Sequence, residues 1–243
     1  RQGQDPDGAG PAMFFGIDSF ATIQSAVDAV DPTGDVMVNP GSYEEAVTIA
    51  QSLTLEGSSG VAGDVVITPP VATSDGISVT AAVTDVALRH LSVTGACNGI
   101  HSLATGAVTL VNVDTSGNNC DGIRLEDASS VSISTSTSSN NDADATDGGD
   151  GIDIRNTGAV TLTDVTANGN DPGIFVSGAA SFSDTDGTYS GNALHGIQLI
   201  DIAGDVTLVR TRLGDNDADT NLAGDGFNAT DGGDADSVAI GGN

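Results

Sequence analysis

The chain has 243 residues and a formal net charge of −28, because 34 Asp and Glu residues stand against six Arg and no Lys. A surface this negative repels nucleic acids and anionic membranes, so we expect neither as a partner. No apolar run approaches the ~18 residues of a membrane-spanning helix, which argues against membrane insertion. Aromatic residues make up only 3% of the chain. The core must therefore be built from Val, Ile, Leu and Ala, and the branched residues among them favour sheets.

The first predicted element is a short amphipathic helix. It follows an N-terminal extension, residues 1–17, and opens the predicted domain, residues 18–243. The stretch DSFATIQSAVDAV places five apolar residues at helical spacing: Phe20, Ile23, Ala26, Val27 and Val30. We predict a helix over about 19–30 that has Asp18 or Ser19 as its N-cap and covers one end of the domain.

From Gly76 onward the chain repeats. A glycine precedes Ile or Phe seven times, with spacings of 23, 23, 29, 22, 23 and 30 residues: Gly76, Gly99, Gly122, Gly151, Gly173, Gly196 and Gly226. A nearly fixed period of this length is typical of a solenoid. The two long intervals indicate loop insertions, at about 142–149 and 217–224.

Each period contains short strands, such as GIRL, GIDI and GIFV after the glycine and AVTLVNV or AVTLTDV further on. Their alternation directs one set of residues inward: Ile77, Ile123, Ile152, Ile174 and Ile197. We therefore predict an all-β fold, a single right-handed parallel β-helix of about eight or nine coils.

Turn residues recur in each coil. We expect the repeat glycine to supply a left-handed or tight corner. One Asn per coil falls in the same turn: Asn118, Asn140, Asn170, Asn192 and Asn216. The final segment, DSVAIGGN, has no capping pattern, so we expect further chain or another molecule to contact this last coil.

The segments FATIQSAVDAV, VNPGSYEEAVTI and LTLEG resemble the opening of pectin-lyase-like right-handed β-helix proteins. The preamble DPDGAGPAMFFGIDSF is similar to module starts in large bacterial surface proteins of that group. The resemblance implies this fold over nearly the whole chain, with substrates along the outside of the strand after the third turn. It implies no single activity, because the superfamily includes lyases, hydrolases, esterases, epimerases and adhesins.

Two enzyme families of this fold have motifs that the chain matches only in part. The pectinesterase motif G-x-Y-x-E fits Gly41-Ser42-Tyr43-Glu44-Glu45, but the later Gln, paired Asp and Arg motifs have no counterpart. NCDGIRL and LHGIQL resemble two polygalacturonase motifs, whose Asp-Asp pair and R-I-K are missing. Neither chemistry is predicted.

The outward positions of the Gly-Ile strand are the candidate substrate-binding residues. Together with the outward residues two positions further along the same strands, they are His101, Arg124, Glu126, Asp153, Arg155, Phe175 and Gln198. Arg forks beside an aromatic face suit a sugar acid or a carboxylate, whereas the alternative is a lattice of weak surface salt bridges.

The candidate catalytic residues are Arg124, Asp153, Arg155 and His195. His195 follows a turn and could serve as acid or base. A lone His at such a position is more often a solvated surface residue.

The acidic insertions are candidate calcium sites, because carboxylates at alternating positions supply hard oxygen ligands. The candidate ligands are Asp142, Asp144, Asp147 and Asp150 in the first insertion and Asp217 and Asp219 in the second. The EF-hand pattern is not matched, and flexible, solvated loops are the alternative.

One further column carries hydroxyl groups on the Val-x-Leu strand: Thr109, Ser132, Thr161, Ser181 and Thr207. A flat hydroxyl ladder can bind ice, although Thr and Ser are also ordinary outward strand residues.

The two cysteines lie in one column. Cys97 and Cys120 each precede a repeat glycine by two residues, so they stack on neighbouring coils at a distance suited to a disulfide. A disulfide indicates an oxidising compartment, and we expect a secreted or cell-surface protein.

Three functions remain open at this point. The leading hypothesis is a secreted or cell-surface module with a structural, adhesive or glycan-contacting role and no assigned catalysis, whose partner is a polysaccharide or a matrix component. The alternative is a calcium-dependent lyase on acidic polysaccharides, with Arg124 or Arg155 as base. Ice binding is the third.

Overall fold

The protein is a parallel β-helix. In the computed structural model, residues 19–141 and 148–216 are described in full, and the strands at 227–230 and 238–241 by their backbone. Strands one coil apart pair in parallel, as Ile100 does with Ile123 and Ile123 with Ile152. The predicted all-β solenoid is confirmed.

The described residues from 19 to 122 hold one α-helix, one turn of 3-10 helix at Ala62–Asp64 and nine strands. They are α1 (Ile23–Ala29), β1 (Gly34–Val38), β2 (Gly41–Tyr43), β3 (Val47–Ile49), β4 (Leu53–Gly57), β5 (Val65–Ile67), β6 (Ile77–Val79), β7 (Val86–Val93), β8 (Ile100–Ser102) and β9 (Ala107–Asp114).

Twelve further strands follow. They are β10 (Ile123–Glu126), β11 (Ser130–Ser134), β12 (Ile152–Arg155), β13 (Ala159–Thr163), β14 (Ile174–Ser177), β15 (Ser181–Thr185), β16 (Thr188–Ser190), β17 (Ile197–Ile200), β18 (Val206–Val209), β19 (Arg212–Gly214), β20 (Phe227–Thr230) and β21 (Val238–Gly241).

The strands form three sheets. Eight of them, in the order β20-β17-β14-β12-β10-β8-β6-β3, form the groove sheet. Eleven form the long sheet, whose main order is β1-β4-β7-β9-β11-β13-β15-β18-β21, and β16 pairs with β19. Because successive coils add one strand to each large sheet, residues at equivalent positions form columns that run along the axis.

The core is a set of aliphatic columns, one of which is interrupted by a carboxylate. On the long sheet, Leu110, Ile133 and Leu162 are followed by Asp184 and then by Leu208. The Asp184 side chain is buried, accepting hydrogen bonds from the Tyr189 and Thr211 hydroxyls. Burial raises the pKa of Asp184, and the two hydroxyls oppose that rise by binding the charged form.

The cap helix is shorter than predicted. It begins at Ile23, and its N-cap is Thr22 rather than Asp18 or Ser19. The Thr22 hydroxyl accepts a hydrogen bond from the Ser25 N–H at 3.2 Å, which is the usual N-cap interaction.

A residue from the next turn completes the start of this helix. The Glu45 carboxylate accepts hydrogen bonds from the backbone N–H groups of Ile23, at 2.8 Å, and Gln24, at 2.9 Å. A negative charge at a helix N-terminus is favourable. In this chain, Glu45 of the G-x-Y-x-E stretch therefore holds the cap helix on the solenoid.

The repeat glycines serve close packing, not a left-handed corner. None of those described has a positive φ. A Cβ at Gly99 would lie 2.6 Å from the carbonyl oxygen of Gly122, and one at Gly173 would lie 2.7 Å from that of Gly196. The left-handed positions fall elsewhere, for example at Asn112 and Asp164.

The predicted Asn column is correct except at one coil. Asn118, Asn170 and Asn192 are buried, but between the first two the buried amide is Asn141. Its Oδ1 accepts from the Asn118 N–H at 3.0 Å, while Asn140 is exposed. Because Asn140 and Asn141 are adjacent in the sequence, the repeat spacing alone did not decide which of them belongs to the column.

The hydroxyl column was predicted with one wrong residue. Ser183, not Ser181, pairs with Thr161 and Thr207, whereas Ser181 pairs with Ala159. The Val-x-Leu pattern is absent from β15, where Phe182 and Asp184 take the inward positions. The prediction therefore selected the outward residue of β15 that lies two positions before the correct one.

Some predictions fall outside the described residues: the extension at 1–17, the residues Asp18, Asp142, Asp144, Asp147, Asp217 and Asp219, and most of the two insertions. No helix in the described ranges is long and apolar enough to cross a membrane.

Candidate functional site

The outer face of the groove sheet carries a groove of about 540 Å³. Residues on five successive coils line it, from Cys97 and Asn98 at one end to Leu194 and Gln198 at the other. Cys97 and Cys120 form the predicted disulfide, with Cα atoms 4.7 Å apart. The covalent link joins two coils in the wall of the groove.

The predicted outward column lies in register, and all of its members except His101 line the groove. His101, Arg124, Asp153, Phe175 and Gln198 pair in that order on β8, β10, β12, β14 and β17. The alternation of the strands directs these side chains away from the core. The sequence therefore placed this column correctly.

Two arginines cover a buried carboxylate. The Asp153 side chain is only 1% exposed, and both its oxygens accept from Arg155 Nε, at 2.8 and 2.9 Å. Arg124 Nη1 lies 3.7 Å from Asp153 Oδ2, and Arg124 Nε donates to Glu126 Oε1 at 2.8 Å. Both guanidinium groups are thus already paired with carboxylates.

Phe175 supplies the aromatic face. The Arg155 guanidinium carbon lies 5.1 Å from the centre of its ring, within the range of a cation–π contact. The Phe175 side chain is half-buried and lines the groove. An apolar surface is therefore available between charged groups.

Four carboxylates, those of Asp121, Asp150, Asp153 and Asp171, form the carboxylate cluster of the groove. Burial, with Asp121 and Asp153 as negative neighbours, raises the pKa of Asp150 to about 9. Burial also raises the pKa of Asp121 to about 6, although Asp121 Oδ1 accepts from the Asp150 N–H at 2.9 Å. Asp150 therefore holds a proton at neutral pH.

A His–carboxylate chain flanks the groove. His101 Nδ1 lies 3.0 Å from Asp75 Oδ2, and its Nε2 lies 3.5 Å from Glu126 Oε1. The hydrogen bond to Asp75 raises the pKa of His101. The interaction links residues on three coils.

Residues 55–243 match the family model described as a right-handed β-helix region. The chain belongs to the right-handed β-helix family. Among solved structures, it is similar to pectate lyase Pel9A, with 14% identity over 88% of this chain and 72% of that one, and a TM-score of 0.58. At this identity the likeness shows the fold alone. No curated protein matches the chain.

Within this β-helix, one predicted catalytic candidate lies in a different environment from the one expected. His195 was expected to be solvated, but it is buried, because its turn packs against the neighbouring coil, with its carbonyl accepting from the Gly173 N–H.

Of the predicted calcium ligands, only Asp150 is described, and it lines the groove. Its carboxylate neighbours have the hard oxygens that calcium prefers. In the described ranges, however, no three Asp, Glu, His or Cys side chains are arranged to hold a metal ion. The calcium site stays a prediction, because its other candidate ligands lie outside the described residues.

Sequence reasoning missed the roles of Asp75, Asp121 and Asp171. Asp75 and Asp121 both occur one residue before a repeat glycine, as Asp150 does. That shared position was the available signal, since one column of a β-helix gathers residues that recur at the repeat period.

Proposed function

We propose that this β-helix is an extracytoplasmic module that contacts glycans through the groove, without catalysis. The observation that carries the proposal is Phe175, which offers a half-buried ring beside Arg155 in the groove that also holds the carboxylate cluster. Aromatic rings provide apolar contact area while neighbouring polar groups fix orientation. The disulfide supports an oxidising location.

The length of the groove favours a chain-like ligand. Five coils at the usual strand spacing extend over roughly 19 Å, enough for several sugar units of an extended polysaccharide. Polar groups recur at each coil, so a repeating ligand can form similar contacts at each step. Asn98, Asn119 and Gln198 supply amides along this path.

The charges in the groove favour a neutral glycan over a uronic acid polymer. A sugar carboxylate would meet arginines whose charges are already balanced by Asp153 and Glu126. It would also approach the carboxylate cluster, which repels anions. Sugar hydroxyl groups can instead donate hydrogen bonds to those carboxylates.

The test is binding of the intact protein to a panel of neutral and uronic glycans. We expect Phe175→Ala to weaken binding by about tenfold, which corresponds to about 1.4 kcal/mol. Met37→Ala is the matched control, because Met37 is an exposed apolar side chain on the long sheet, 58% accessible. Equal affinities for both variants would contradict the groove as the contact site.

A calcium-dependent lyase on acidic polysaccharides is the second candidate, and the raised pKa of Asp150 is the observation that favours it. A cation at Asp150 and Asp121 would relieve their repulsion. Against it, the pKa of Arg155 is raised by its hydrogen bond to Asp153, so this guanidinium keeps its proton and is a poor base.

Incubation with uronic acid polymers, with and without calcium, separates the two functions. A lyase releases unsaturated ends that absorb in the ultraviolet. We expect no such product at either calcium level. A calcium-dependent signal that Asp150→Asn abolishes would establish the lyase instead.

A further inference from the structure

The His101 imidazole lies between two carboxylates that belong to the coils on either side of it. Its Nδ1 is 3.0 Å from Asp75 Oδ2, and its Nε2 is 3.5 Å from Glu126 Oε1. Strand β8, which carries His101, is flanked in the groove sheet by β6 and β10. On β6, the residue that pairs with it is the uncharged Ser78. Within the described part of the chain, the charged groups that face the ring are Asp75, Arg124 and Glu126.

Asp75 is fixed as a hydrogen-bond acceptor. Its Oδ1 accepts from the backbone N–H of Asn98, at 3.3 Å, and from the Asn98 side-chain amide, at 2.8 Å. Its Oδ2 accepts from the Ser78 hydroxyl at 3.4 Å. A carboxylate surrounded by donors is held in its charged form. The ring nitrogen Nδ1 of His101 must therefore donate its proton to Asp75.

The other ring nitrogen also faces an acceptor. Glu126 Oε1 accepts from Arg124 Nε at 2.8 Å, and this hydrogen bond lowers the pKa of Glu126. Among the described residues, His101 Nε2 is buried and has no hydrogen-bond partner. A neutral imidazole has one N–H and would direct a lone pair at Glu126, whereas the imidazolium has one N–H for each carboxylate. The geometry therefore fits the charged form of His101.

Glu126 connects this ring to the groove. The Oε1 atom that faces His101 is the same atom that accepts from Arg124 Nε. Arg124 Nη1 in turn lies 3.6 Å from Asp121 Oδ2 and 3.7 Å from Asp153 Oδ2. Arg124 lines the groove, whereas His101 and Glu126 are not part of its lining. The charge of His101 thus acts on the groove surface through one carboxylate.

We propose that His101 is a pH-dependent positioning residue for Arg124. The proton on Nε2 holds Glu126 at the ring, and Glu126 holds the Arg124 guanidinium in the groove wall. When the pH rises and Nε2 releases its proton, a lone pair faces Glu126 Oε1. The carboxylate then turns away, and Arg124 Nε loses its fixed acceptor. This inference deepens the proposed function and rests on it only for the expected change in glycan affinity.

Arginine side-chain NMR tests the switch without a ligand. The chain has six Arg and no Lys, so few side-chain N–H signals overlap. We expect the Arg124 Nε–H resonance to shift with the same midpoint as the His101 ring, above the ordinary imidazole pKa of 6.5. His101→Gln does not titrate but still donates to one carboxylate, so the Arg124 resonance should lose this transition. A transition that persists in folded His101→Gln overturns the inference.

Glu126→Gln tests the pair from the other side, and it decides the inference if His101→Gln does not fold. Removal of this charge should lower the titration midpoint of His101. Asp127→Asn is the matched control, because Asp127 is the adjacent, exposed carboxylate, and Asn tolerates its positive φ of 60°. An unchanged His101 midpoint in Glu126→Gln overturns the inference, as does an equal lowering by both variants.

Glycan affinity at about pH 5 and about pH 8 separates this inference from the proposed function. We expect the native chain to lose about threefold more affinity over this range than His101→Gln, the size of one exposed ion pair. Asp121 titrates in this range in both proteins, so its effect cancels. Equal pH dependence of the two chains overturns the role of His101 while glycan binding stands. Absence of glycan binding at both pH values overturns the proposed function, and the Arg124 resonance then decides the switch.

Discussion

At the scale of single residues, the fold alters the protonation of Asp150. It follows the first insertion and is half-buried beside Asp121, Asp153 and Asp171. Its raised pKa means that the folded chain keeps a proton that the unfolded chain releases near pH 4. The unfolded state then binds fewer protons, so stability falls as pH rises.

We therefore predict that Asp150 lowers stability progressively between about pH 4 and pH 9. Asp150→Asn should remove this dependence and stabilise the chain by on the order of 2 kcal/mol at pH 8, with little effect at pH 4. Denaturant unfolding at both pH values, in the presence of a chelator, measures the difference. The same gain at both pH values would show that the carboxylate charge is not the cause.

At the scale of elements, α1 depends on a residue far from it in sequence. Thr22 alone caps it locally, and Glu45 adds two hydrogen bonds to its first turn. A helix of seven residues is too short to be stable alone. Its position therefore depends on contacts with the solenoid.

We predict that Glu45→Ala destabilises the chain by about 1 kcal/mol, a typical cost of losing an N-terminal capping interaction. Glu44→Ala is the matched control, because Glu44 is adjacent, equally charged and exposed. Thermal melts of the two variants measure the difference. If both variants lose the same stability, the loss comes from the change in net charge and not from the capping interaction.

The disulfide stabilises the two coils that form one end of the groove. Cys97 and Cys120 enclose a loop of 23 residues. We predict that Cys97→Ser with Cys120→Ser costs about 3 kcal/mol, the loss expected for a loop of this size. Denaturant unfolding measures it, and a reductant should lower the stability of the native chain but not of the double variant. No change in either measurement would mean that the bridge is absent in solution.

The elements that were predictable are those that recur. The glycine period, the inward Ile column and the outward column from His101 to Gln198 follow from spacing alone. The predictions failed where a coil departs from the repeat, as at Ser181, or where the partner is distant in sequence, as for Glu45. The burial of Asp153 under Arg155 could not be predicted. The alternation of a strand predicts which side of the sheet a side chain faces, but not whether residues of neighbouring coils cover it.

At the scale of the whole molecule, charge is distributed unevenly. The groove gathers four carboxylates, whereas the outward residues of β11 and β13 on the long sheet carry no charge. A net charge of −28 destabilises the compact state by self-repulsion. Salt should relieve that repulsion.

We predict that sodium chloride raises the melting temperature by several degrees, since the screening length falls from about 10 Å at 0.1 M to about 3 Å at 1 M. We expect calcium at equal ionic strength to raise it further by binding the folded state. Asp150→Asn should reduce this calcium-specific part and leave the sodium effect. Equal shifts in both salts would exclude specific calcium binding.

The polar break at Asp184 has a consequence for misfolding. Aliphatic columns of a solenoid are nearly interchangeable, so a chain that skips one coil during folding would still place Leu against Ile. Asp184 distinguishes the correct stack, because only there do the Tyr189 and Thr211 hydroxyls meet its carboxylate. In a stack that skips the following coil, the carboxylate would keep Tyr189, five residues away in its own coil, but would lose the Thr211 hydroxyl, at a cost of roughly 1–3 kcal/mol. Asp184 thus acts against wrongly wound forms of the chain.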